Sequence, residues 1–229
     1  MKPQFVWEAI LVFIGHFGIG LGSKAVSPKT SLGTLFLAAQ FVDLLWPFFL
    51  MLGWEQVVIA PGITAVTPLD FVHYPISHSL LMGIVWGTVF AVIYWAVRKY
   101  FKGALVCGVA VLSHWVLDFV THRPDLPLFP GSETFVGLGL WFSVGATLVV
   151  EVFIFGVGVW FYIKSTRAVD RMGSVGFWSL VVFLLLVYIG NLFGDPPPNP
   201  EVLAWVAHSQ WILIAWGYWV DRHREVVVH

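Results

Sequence analysis

Charge is scarce in this chain of 229 residues, and so is cysteine. Asp, Glu, Lys and Arg together make up 11% of it, against about 25% in ordinary soluble domains. That shortfall excludes a conventional soluble fold. A net charge of -1 gives no footing for nucleic acid, so no such partner is expected. The single cysteine, Cys107, stands in an apolar run without a partner. Disulfides and thiolate clusters are therefore excluded, and any metal must be held by His and carboxylates. No small-residue cleavage site follows the first apolar segment, which is expected to be a retained helix rather than a signal peptide. Internal repeats are absent as well, and the expectation is one integral membrane domain over residues 1–229.

What the chain does have is apolar length. Its composition is 59% hydrophobic, its mean hydropathy is +0.85, and it carries 13 Trp suited to two membrane interfaces. About twenty apolar residues cross a bilayer. Roughly seven such runs are present, near 5–21, 32–53, 76–97, 104–120, 135–163, 175–192 and 202–220. The fold class expected is therefore an all-α, polytopic membrane helix bundle. Lys24 and Lys29 follow the first run; Arg98, Lys99 and Lys102 follow the third. Lys164, Arg167 and Arg171 follow the fifth, and Arg222 and Arg224 the seventh. Ten of the twelve basic residues thus fall on one side, leaving Lys2 and Arg123 on the other. The positive-inside rule then puts the N-terminus outside and the C-terminus in the cytoplasm. The extracytoplasmic connections would be about 54–75, 121–134 and 193–201. The first of them is Pro/Gly-punctuated and half apolar, readable as lid, re-entrant segment or hairpin.

The stretch from Ser113 to Asp125 (SHWVLDFVTHRPD) packs two His and two Asp into the end of an oily segment. His114 and Asp118 lie one helical turn apart on one face, a half-site for a divalent metal. Pro124 ends the helix near residue 122. Ionisable groups in the membrane are costly and usually functional. Asp43, His16, His78 and Glu151 come from other runs, and the topology places them between the midplane and the outer surface, along with His208. Each also has a bland reading: His16 among glycines could bond a carbonyl, and His78 could be an interfacial cap. His73, His122 and Asp125 could contact substrate or simply belong to loops.

The order of these residues resembles a known family. An early His in the first helix (His16), an Asp in the second (Asp43) and a His-Ser start to the third (His78-Ser79) come first. S-H-x-x-x-D-x-x-T then follows as Ser113, His114, Asp118 and Thr121, with Pro127-Leu128-Phe129-Pro130 behind it. This resembles the YdjM-like family of inner-membrane proteins described as metal-dependent hydrolases. The likeness covers about the first 130 residues and implies a bacterial-type inner (plasma) membrane location. The family's P-D-x-D-H run is reduced here to Asp43 in FVDLLW, and its Arg-Gly before the third motif is replaced by Tyr74-Pro75-Ile76-Ser77. No H-E-x-x-H, paired G-x-G-D or Arg-bearing phosphatase motif is present.

The sequence therefore points to a membrane-embedded hydrolase working from the extracytoplasmic side. His16, Asp43, His78, His114 and Asp118 are the candidate ligands of a divalent ion, zinc first with manganese as the alternative. A bound water would be the nucleophile, with Asp118 or Glu151 as general base. Arg123, His122, Asp125 and His73 are candidates for substrate binding, Arg123 toward a phosphate or carboxylate headgroup. Membrane lipids are the expected surroundings and a lipid or lipid-linked ester or phosphoester the expected substrate. The competing reading gives the same His/Asp groups to ion or proton transport, or to haem ligation.

Overall fold

A computed structural model of the chain describes residues 13–227. Most of it is helical: α1 (Ile14–Val26), α2 (Leu32–Ala39), α3 (Phe41–Met51), α4 (Pro75–His78), α5 (Leu80–Arg98), α6 (Phe101–Thr121), α7 (Val144–Ser165), α8 (Arg171–Phe193), α9 (Pro200–Ala207) and α10 (Gln210–Arg222). Three short antiparallel pairs join connections: β1 (Gln56–Ile59) with β2 (Leu69–His73), β3 (Leu126–Pro127) with β4 (Phe135–Val136), and β5 (Thr166–Ala168) with β6 (Arg224–Val226). Among the described residues four helices, α5 to α8, are long and apolar enough to cross a membrane, and the pair α2 and α3 makes a fifth if counted as one span. Their outward faces carry large apolar side chains such as Ile93, Val109, Phe153 and Leu186. Such faces suit lipid rather than water.

The remaining runs depart from continuous spans, each for a local reason. Residues 5–12 of the first run lie outside the described residues, and α1 continues past 21 to Val26. It can do so because the buried ammonium of Lys24 lies 2.9 Å from Asp221 and 3.0 Å from the carbonyl of Thr30. The second run bends by 55° at Gln40, between α2 and α3. The third is interrupted at Ser79, whose hydroxyl accepts the Met82 N–H and so starts α5 afresh. The fifth begins at Val144 rather than 135, because 135–136 pair as β4 and Gly139 takes a left-handed φ of 75°. The seventh breaks at His208 and Ser209. There the backbone tightens to i→i−3 bonds, Ser209 N–H to Val206 O at 2.9 Å and Ile212 N–H to Ser209 O at 2.9 Å.

The two poles of the bundle differ in kind. The connections after α1 and α5 meet where Thr30 Oγ1 lies 2.9 Å from Tyr94 OH. The ends of α1 and α10 meet at Lys24 and Asp221, and those of α7 and α10 at the β5–β6 pair. One pole thus gathers the four basic connections picked out by the sequence. At the other, the long 54–75 connection folds as the β1–β2 hairpin. Its Val57, Val66, Leu69 and Phe71 close over Trp46, Tyr74, Leu126, Trp141 and Leu203 in one apolar cluster. α6 runs from the first pole to the second and carries His114 and Asp118 in its last two turns. Beside it α1 and α7 touch backbone to backbone: a Cβ on Gly158 would lie 2.1 Å from the carbonyl oxygen of Gly18. Small residues permit this approach in membrane helices, and it fixes where α1 delivers His16.

Candidate metal centre

Broken helices bring the candidate ligands together. The bend at Gln40 leaves the last carbonyls of α2 without helical partners, and that of Ala39 accepts a hydrogen bond from His114 Nδ1 at 2.8 Å. With Nδ1 carrying the proton, the lone pair of the neutral ring sits on Nε2, which faces inward. The bend also starts α3 two residues before Asp43, so the carboxylate enters from a helix end. His78 ends the single turn α4 and is oriented in a similar way. Glu55 Oε1 accepts the N–H groups of Ile76 and Ser77, each at 2.8 Å, and Glu55 Oε2 accepts the Ser77 hydroxyl at 2.6 Å. Having given its own proton to Glu55, the Ser77 oxygen accepts from His78 Nδ1 at 2.6 Å. The Nε2 of His78 is thereby aimed at the same point as that of His114.

The converging atoms stand close. His78 Nε2 lies 3.2 Å from Asp43 Oδ1 and 3.9 Å from Asp118 Oδ2. His114 Nε2 lies 3.5 Å from Asp43 Oδ1 and 3.4 Å from Asp118 Oδ2. His16 Nε2 lies 3.3 Å from Asp118 Oδ1, and its ring stacks on that of His114 with centroids 3.8 Å apart. Two overlapping sets, His16–His114–Asp118 and Asp43–His78–His114, each place their ligand atoms within 4.8 Å of one another. Bonds of about 2.0–2.2 Å in a tetrahedral zinc site put neighbouring donors about 3.3–3.6 Å apart, so most of these spacings already match. Asp118 Oδ2 is buried without a hydrogen-bond donor. No Lys or Arg side chain pairs with Asp43 or Asp118 among the described residues. Two carboxylates in apolar surroundings without a fixed cation fit a divalent ion in charge as well as in spacing.

Four of the five side chains are at most 5% exposed, while that of Asp43 is 19% exposed. A cavity of about 20 Å³ adjoins the cluster, lined by Asp43, His78, Asp118 and His122 together with Phe13, Trp46, Phe71 and Trp141. That is room for about one water.

The residues expected to bind substrate sort differently. His122 caps the end of α6, with Nδ1 3.0 Å from Asp125 Oδ1. Tyr74 donates its hydroxyl to the same carboxylate oxygen at 2.9 Å. Burial alone would raise the Asp125 carboxyl, but hydrogen bonds from His122, Tyr74 and Arg123 hold it below the usual carboxylate range. Burial, reinforced by the Asp125 charge, pushes the Tyr74 hydroxyl well above its ordinary value. With Nδ1 against Asp125, the His122 ring lines the cavity. Arg123 is engaged by Asp70 and by Asp125. His73 stands exposed at the end of β2, outside the cluster. Glu151 is buried on α7, where Oε2 accepts the Gly15 N–H at 2.7 Å and so caps α1 one residue before His16. It therefore supports the His16 helix and does not stand among the converging atoms as a base. His208 lies on Phe48, with ring centroids 4.4 Å apart, and belongs to the α9–α10 break. Sequence reasoning passed over Glu55, Ser77 and the Ala39 carbonyl. The first two sit in the Trp54–Pro75 connection and its first helical turn, and only the fold relates them to His78.

In comparison with known families, the model described as YdjM inner membrane protein matches residues 12–196. No curated protein and no solved structure matches the chain.

Proposed function

We propose the following for this chain, which belongs to the YdjM inner membrane protein family: it is a membrane-embedded, metal-dependent hydrolase of a lipid or lipid-linked ester or phosphoester, working from the extracytoplasmic side. Its location in the inner membrane follows from the family and from its several membrane-length apolar helices. The reading retains seven crossings with the N-terminus outside, supported by the gathering of the basic connections at the pole away from the His/Asp cluster. The observation that carries the function is the pair of outward-facing hydrogen bonds on His78 and His114, which turn two Nε2 lone pairs onto two carboxylates that lack a cation.

In this reading His78, His114, Asp43 and Asp118 hold the ion, and His16 supports Asp118 or completes the set. A zinc-type ion supplies Lewis acidity and a bound water whose pKa falls toward about 7. The chain's own residues do the rest. The apolar walls of Phe13, Trp46, Phe71 and Trp141 exclude bulk water. His122, with Nδ1 tied to Asp125, takes a proton at Nε2 from the water in the cavity and returns it to the leaving oxygen. This places the base at His122 rather than at Glu151 or Asp118. Arg123 then fixes Asp125 and, through Asp70, the β1–β2 hairpin over the site. Transport is disfavoured because α1 carries no ionisable side chain between His16 and Lys24, so no relay joins the two poles along it.

Elemental analysis of the detergent-purified protein tests the reading, beside a His114→Ala/Asp118→Ala variant. About one equivalent of zinc or manganese per chain, lost in a variant that keeps its helical circular dichroism, is the expected result. Absence of any bound divalent metal in the wild type, even after reloading, would overturn it. A metal-loaded protein inert toward a panel of lipid esters and phosphodiesters would leave the centre but remove the hydrolase.

A further inference from the structure

The pole away from the His/Asp cluster holds a groove of about 610 Å³ between α2, α5 and α10. That volume falls in the range of small-molecule sites, about 300–1,000 Å³. Phe41, Val89, Ile93 and Val97 form apolar walls, and Ile93 and Val97 are 58% and 73% exposed, so the groove opens sideways to the acyl region. Its far end is polar. Ser31 Oγ lies 2.8 Å from Thr34 Oγ1, which lies 2.9 Å from Tyr218 OH, and Arg98 stands in the same lining.

The rim around that end is of one sign. The two connections that flank it, 27–31 and 98–102, carry Lys29, Arg98, Lys99 and Lys102 and no acidic residue. They are held side by side: Thr30 Oγ1 lies 2.9 Å from Tyr94 OH, and Lys29 Nζ sits 5.7 Å over the ring of Tyr100. All four cations are exposed, and none pairs with a carboxylate among the described residues. Elsewhere Lys24, Arg123 and Arg167 each have an acidic partner. A lipid-facing apolar slot that ends in three hydroxyls, one unpaired guanidinium and a purely basic rim has the polarity of an amphiphile with an anionic head.

We propose that this groove binds an anionic phospholipid of the leaflet at that pole, with one acyl chain lying between α2 and α5 and the phosphate held by Arg98 beside the Ser31–Thr34–Tyr218 hydroxyls. Arg suits this task because its planar fork meets phosphate oxygens in pairs. The basic rim adds the longer-range attraction that draws anionic lipid to such surfaces. This site shares no residue with the His/Asp centre, and its occupancy does not depend on the hydrolase reading.

The test uses the full-length, delipidated protein in a neutral detergent, with phosphatidylglycerol and phosphatidylcholine of identical chains as probes. Binding is read by native mass spectrometry and by the shift in melting temperature. One phosphatidylglycerol per chain, with a raised melting temperature that phosphatidylcholine does not match, is the expected result. Arg98→Gln removes the phosphate contact, and Ile93→Trp fills the slot while leaving every charge in place. Each is expected to weaken phosphatidylglycerol binding at least about fivefold, as loss of one charge-assisted contact or of the chain's seat would. Their metal content and lipid-free melting stay as in the wild type, because both positions are exposed. Equal stabilisation of the wild type by the two lipids would overturn the proposal. So would unchanged binding in Ile93→Trp, since attraction by the basic rim alone would then account for it.

Discussion

Both poles of the molecule bury ionisable groups, yet in opposite ways. At the basic pole Lys24 meets Asp221 at 2.9 Å and also donates to the Thr30 carbonyl, so the charges cancel within the chain. At the other pole Asp43 and Asp118 face His16 and the imidazoles of His78 and His114, whose inward nitrogens are lone pairs when neutral, and Asp118 Oδ2 has no donor at all. The first cluster is balanced in charge, a fastening between α1 and α10. The second becomes complete only when a dication, or protons on the imidazoles, supplies the missing charge. Burial alone therefore does not separate a structural charge from a functional one; the internal charge balance does.

The sharpest way to break this comparison is to unbalance the balanced pole. Lys24→Met leaves the partly exposed Asp221 without its ammonium partner and is expected to lower unfolding stability by about 1–3 kcal/mol, while Lys24→Met/Asp221→Leu recovers most of it. Thermal unfolding in detergent reads both. The converse holds for the unbalanced pole: Asp43→Asn/Asp118→Asn is expected to abolish metal binding while raising the melting temperature of the metal-free protein. A metal-free double variant that melts lower would show that protonated histidines already balance the carboxylates, and the contrast between the poles would fail. A smaller effect is expected one layer out. Ser77→Ala removes the acceptor that fixes the ring of His78 and should weaken zinc binding about 10–100-fold in a competitive chelator titration.

The smallest effect concerns the His122–Asp125 pair above the site. Hydrogen bonds hold the Asp125 carboxyl below its unfolded value of about 3.9. Its contribution to stability is therefore present above that value and lost as the pH falls through the folded one. Asp125→Asn is expected to lower the melting temperature slightly near neutrality and to make its decline below about pH 4 shallower.

The candidate ligands were legible in the sequence as residues, and much of the scaffold that brings them together was not. His114 and Asp118 declare themselves because helical spacing puts residues four apart on one face, in a segment too oily to hold them idly. Asp43, His78 and His16 stand out by the same scarcity of charge. The bend that admits Asp43 and frees the Ala39 carbonyl has no such mark, since AAQFVD contains neither Pro nor Gly. The fold makes that break and His114 satisfies it. The interruptions at Ser79 and at His208–Ser209 were hidden inside apolar runs for the same reason: hydropathy measures how oily a stretch is and not whether its helix continues. For Arg123 the place beside the site was legible but not the pairing with Asp70, 53 residues earlier, which only the fold brings about.

The contact between α1 and α7 bears on how far this chain can drift in evolution. A Cβ on Gly158 would meet the Gly18 oxygen at 2.1 Å, and one on Gly18 would meet the Ile154 oxygen and the Phe155 Cα at 2.8 Å. Backbone on both sides cannot yield, so even alanine at either position must push α1 sideways and carry His16 with it. In a saturation mutagenesis screen these two glycines should therefore be as intolerant as the imidazoles and carboxylates, although neither carries a functional group. Part of the site's specification is written in the side chains that α1 and α7 leave out.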